Sequence, residues 1–82
     1  MTLTEDSRRG AEARRLMAEP LLAQAFAAVE DGLKAAWLAT QDGEIEERER
    51  LWLSLRLLRR LRAELEAAAA GGRLADRQLK GA

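Results

Sequence analysis

Apolar residues recur at helical spacing along most of this chain and are densest between Leu51 and Leu61. At about 100° per residue, Leu51, Leu55, Leu58, Leu61 and Leu65 share one face, the stripe of a core-facing helix. Leu53 and Leu57 lie beside that face on one flank. Trp52 and the earlier Ile45 lie about a quarter turn off it on the other. A helix that is apolar on three sides needs cover on three sides, and the rest of the chain supplies little. The pattern therefore predicts a partner, either a second copy or another protein.

The spacing predicts three helices. The first, about residues 5–18, carries thin apolar content (Ala11, Ala13, Leu16, Met17) among Arg8, Arg9, Arg14 and Arg15, with Thr4 or Asp6 as its cap. Such a helix is marginal unless docked. Pro20 suits the first position of a second helix, about 20–39. There Leu22, Phe26, Val29, Leu33, Ala36 and Thr40 follow a 4-3-4-3-4 seam. Thr40-Gln41-Asp42-Gly43 reads as a turn, with Asp42 as the cap of a third helix, about 44–70. Gly71-Gly72 reads as its stop. Residues 1–6 and 73–82 are expected to be flexible ends of one domain spanning 1–82.

A short turn between two long amphipathic helices predicts an antiparallel hairpin. In it Phe26, Leu33 and Trp37 meet Leu65, Leu58 and Leu51, and the first helix crosses over one side. The fold class is all-α: alanine, leucine, arginine and glutamate dominate, while valine and isoleucine occur once each. At 82 residues the chain is close to the size below which a single core needs help. Cysteine and histidine are absent, which removes disulfides and ordinary zinc sites and leaves association as the remaining support.

Fourteen acids balance fourteen bases, which argues against a chain built to neutralise nucleic-acid phosphates. Twelve of the bases are arginine, the cation best suited to forked pairing at interfaces, although a GC-rich genome enriches arginine as well. No apolar run reaches membrane-spanning length, and the start of the chain, with Glu5-Asp6, is unlike a signal peptide. The expected setting is soluble and cytoplasmic when made, with no membrane contact.

Candidate chemistry is sparse. Without His or Cys the ordinary nucleophile–base pairs are unavailable, and Ser54 inside the leucine run reads as a packing residue. Glu44, Glu46, Glu47 and Glu49 alternate with arginines and read as a self-paired helix start, not a metal site. Gly71-Gly72 lacks the strand and lysine of a phosphate loop. The expectation is a non-enzyme with no cofactor and no metal. Arg56, Arg59 and Arg60 cluster near Trp52, and tryptophan and arginine are enriched at binding hot spots. The expected partner-binding residues are therefore Ile45, Trp52, Leu53, Arg56, Leu57, Arg59 and Arg60.

Arg9 through Leu22, then Ala25-Phe26, Trp37 through Thr40, and Glu47 through Trp52 together carry a resemblance that spans residues 8–75. The pattern resembles small helical proteins encoded in tailed-bacteriophage and prophage structural gene clusters, near the portal and capsid genes. That resemblance implies a virion or assembly component without catalytic residues, and it carries over no functional residue. The expected function is an interaction protein that oligomerises or docks on a larger protein, with itself or a phage structural protein as partner. A small phage-encoded inhibitor or adaptor of a host protein is the alternative. A DNA-packaging subunit like a small terminase comes third, and lacks a base-reading motif.

Overall fold

A computed structural model describes residues 2–81 of the chain; Met1 and Ala82, at the tips of the two expected flexible ends, lie outside the described residues. The fold is all-α, with helices α1 (Leu3–Met17), α2 (Pro20–Leu38) and α3 (Ile45–Gly81). Helix α1 starts earlier than its sequence signals indicated. Thr2, not Thr4 or Asp6, caps it, its Oγ1 accepting the Glu5 N–H at 3.1 Å. Glu5 and Asp6 in the first turn and Arg14 and Arg15 in the last complement the helix dipole. Pro20 opens α2 as expected, and the Thr40 hydroxyl closes it by donating to the Trp37 carbonyl at 2.6 Å.

The expected stop at Gly71-Gly72 is overturned: α3 runs through both glycines, so residues 73–81 are helix, not a frayed tail. A glycine stop uses a positive φ, and no described glycine has one. The reason is packing. Gly10 of α1 and Gly72 of α3 meet backbone to backbone, and a Cβ added to either would overlap the other's Cα. Helix propensity alone disfavours a double glycine, but only glycine lets the two helices approach this closely.

Helix α1 therefore packs on the C-terminal half of α3, not across the hairpin. Ser7 donates a hydrogen bond to Asp76, Arg14 pairs with Asp76 at 3.7 Å, and Arg14 also donates to the Ala69 carbonyl at 3.4 Å. Small residues dominate this contact: Gly10, Ala13, Ala69, Gly72 and Ala75 are buried. Helix α2 lies against the N-terminal half of α3, with Phe26 near Leu65 and Trp37 near Leu51. Both short helices run antiparallel to the long one, end to end along it. This corrects the expectation that α1 would cover one flank of residues 51–61; neither flank is covered by it.

The consequence is a slab. Its extents are 60 × 23 × 14 Å. The long axis matches a 37-residue helix of about 55 Å, and the thinnest is little more than one helix diameter of about 10–12 Å. The radius of gyration is 17.5 Å, against about 12 Å for a compact domain of this length. Among the described residues no side chain is fully buried, and α2 contributes only half-buried residues to its contact with α3.

Candidate partner-binding surface of the helical hairpin

The contact between α2 and α3 differs from the seam read off the sequence. Leu22, Phe26 and Leu33 are half-buried, but Val29 is 50 % exposed. Its expected place is taken by Glu30, which follows Phe26 by four residues and precedes Leu33 by three. Glu30 pairs with Lys34 on its own helix at 3.4 Å, and across the contact with Arg59 at 3.6 Å and Arg62 at 3.8 Å. Lys34 first, then Arg62 and Arg59, holds the Glu30 carboxyl below its ordinary pKa, against the opposing effect of partial burial. Arg62 also stacks on the Phe26 ring, 5.2 Å from its centre. A polar pair inside an apolar row fixes register at some cost in stability, and Glu30 with Arg62 plays that part here.

The Glu30 bridge also tells the two sides of the slab apart. Glu30, Lys34, Arg59 and Arg62 share one side because they touch. On that side Arg48 stacks on Trp37 at 4.0 Å and Arg56 on Trp52 at 4.9 Å. Between them Leu33, Lys34, Trp37, Leu38, Leu51, Trp52 and Leu55 line an open apolar groove of about 320 Å³. This is the cationic, aromatic flank.

The opposite side is aliphatic. Val29 lies about 100° from Glu30, and Leu61 about 200° from Arg59, so both turn away from the cationic flank. Leu61 was expected in the internal seam; it is 54 % exposed instead, because Arg62 takes the position facing Phe26. Leu53, Leu57 and Leu61, four residues apart, make a continuous ridge in which Leu57 is 70 % exposed. The Ser54 hydroxyl on this side is satisfied within its own helix, donating to the Arg50 carbonyl at 2.8 Å.

Six of the seven expected partner residues thus divide between two surfaces. Leu53 and Leu57 belong to the aliphatic ridge. Trp52 (51 % exposed), Arg56 and Arg59 belong to the cationic flank, and Ile45 lies exposed about 20° round the helix from Trp52. Arg60 is exposed on the back of α3. The supposed arginine cluster is therefore split, with Arg59 turned to Glu30 and Arg56 to Trp52. Val29, Glu30, Leu61 and Arg62 were missed as surface or contact residues. The signal for Glu30 and Arg62 was present: each sits at heptad spacing between apolar neighbours, where a charge needs an opposite charge across the contact.

At the hairpin turn, Arg48 reaches back to Asp42 at 3.3 Å, and the Gln41 N–H donates to Glu44 at 2.7 Å. Arg50 forms a forked pair with Glu47, which holds the Glu47 carboxyl below and the Arg50 guanidinium above their ordinary pKa values. No described helix is long and apolar enough to cross a membrane. No protein-family model, curated protein or solved structure matches the chain.

Proposed function

We propose that this chain is a non-enzymatic interaction protein that oligomerises or docks on a larger protein through the two uncovered flanks of α3. One observation carries the reading. The accessible surface is 6265 Å², whereas a compact protein of 9.1 kDa exposes about 4,900 Å². The excess is about 1,400 Å², and the exposed surface includes large leucine, tryptophan and valine side chains whose burial contributes roughly 25 cal/mol per Å². A standard interface removes about 800 Å² from each partner, so one contact does not absorb the excess and two surfaces have work to do. Trp52 stacked with Arg56 beside the apolar groove is the kind of anchor at which binding energy concentrates. The resemblance to phage structural-cluster proteins gives the larger body its identity in this proposal, a virion or an assembly intermediate.

The test is thermal unfolding of the purified chain over a hundredfold range of concentration, with an apolar dye present. The proposal predicts a midpoint that rises with concentration, as mass action requires when association covers the folded state, and dye binding at the dilute end. A midpoint independent of concentration with no dye bound at any dilution contradicts it.

A further inference from the structure

The aliphatic flank has a property that the cationic flank lacks: it is self-complementary. Leu57 sits at the middle of the exposed ridge, with Leu53 four residues before it and Leu61 four residues after. Arg50 lies seven before and Glu64 seven after. Seven residues are close to two helical turns, so Arg50, Leu57 and Glu64 share one strip of α3. A second α3 laid antiparallel on this strip, with a two-fold axis beside Leu57, places Leu53 against Leu61 of the second copy. The same operation places Arg50 against Glu64 of the second copy, twice. An isologous contact requires this reciprocal matching.

Deepening the interaction reading on which it rests, we infer that the aliphatic flank of the hairpin binds a second copy of this chain, α3 antiparallel to α3, about a two-fold axis at Leu57. Three further observations agree. The area in excess of a compact monomer is larger than the roughly 800 Å² that a standard interface takes from each partner. The ridge can be dried without orphaning a polar group, since the Ser54 hydroxyl is already bonded to the Arg50 carbonyl. On α2 the same side carries Ala25, Val29 and Ala36, residues small enough for the second hairpin to seat over both helices as a four-helix layer. The cationic flank with Trp37 and Trp52 faces the other way and stays open in the dimer.

Because the chain has no cysteine, a single introduced thiol reports proximity cleanly. Leu57→Cys changes an exposed side chain, and on a two-fold axis between helices about 8–10 Å apart the two thiols lie within disulfide reach. The inference predicts that L57C oxidises to a covalent dimer, whereas R56C, about 100° round the helix, does not. Sedimentation equilibrium of the unmodified chain should give twice the 9.1 kDa chain mass. L57E should raise the dissociation constant about thirtyfold or more, with the helical circular dichroism signal retained. R50E, which sets like charges against Glu64, should weaken the dimer, and R50E/E64R should recover it.

A dimer in which L57C and R56C cross-link equally, or in which R50E/E64R is no tighter than R50E, overturns this arrangement. A chain of monomer mass at all concentrations that still binds an apolar dye overturns the second copy but leaves the interaction reading standing. Monomer mass without dye binding overturns both.

Discussion

Two adjacent glycines in α3 have opposite predicted responses to the same substitution. Gly71 has open space where a Cβ would go, whereas a Cβ at Gly72 would overlap the Gly10 backbone of α1 and sit 3.2 Å from the Asp6 carbonyl. Both residues are helical, so Gly→Ala gains about 1 kcal/mol of helix propensity at either site, and that gain cancels in the comparison. What differs is packing. The obstruction at Gly72 is backbone on a helix and has no rotamer to escape into. Helix α1 must lift, with overpacking costs of about 1–3 kcal/mol, and the small-residue contact that buries Ala13, Ala69 and Ala75 opens with it. Gly71→Ala should therefore stabilise by up to about 1 kcal/mol, whereas Gly72→Ala should forfeit that gain and destabilise by up to about 2 kcal/mol net. In a domain of this size each kcal/mol moves the midpoint by about 4–8 °C, so the two variants should separate by at least about 4 °C in thermal denaturation followed by circular dichroism. Gly10→Ala should behave as Gly72→Ala does. If Gly72→Ala is as stable as Gly71→Ala, the close crossing of α1 and α3 is wrong.

Ending the chain at Ala70 removes the bed on which α1 lies; α1, only 15 residues long, should lose its helix because isolated helices of about that length are marginal in water, and helical ellipticity should fall by more than the deleted residues explain. Glu30 should make stability depend on acidity. Its folded pKa is lowered, chiefly by Lys34, so its contribution is fully present above the unfolded carboxylate value and is lost as pH falls through the folded one; Glu30→Gln should flatten this part of a stability profile measured from neutral pH downward. Arg48→Ala should lower stability by about 0.5–1 kcal/mol through loss of its stacking on Trp37, read as a lower urea midpoint.

The hairpin was legible because its signals are local: periodic leucines, Pro20 at a helix start, and a four-residue turn at Thr40–Gly43. Ile45, Trp52, Leu53 and Leu57 were legible as surplus because the stripe they flank was already full. The extent of α3 was not legible. Gly71-Gly72 has the local chemistry of a helix end, and only the distant Gly10 turns it into a crossing point. The seam was misread at Val29 and Leu61 for a related reason. Hydrophobicity assigns the contact to the apolar member of each neighbouring pair, but Glu30 and Arg62 face each other and neutralise each other there. That misreading hid the aliphatic ridge, because it counted Leu61 as internal and left Leu53 and Leu57 without their continuation.

Sedimentation equilibrium of the intact chain at micromolar to millimolar concentration tests whether the uncovered hairpin surface is covered by association. Association through the aliphatic flank predicts a mass of twice the 9.1 kDa chain, returning toward one chain on dilution and abolished by Leu57→Glu. A single chain mass throughout that range, with no apolar dye bound, would contradict it.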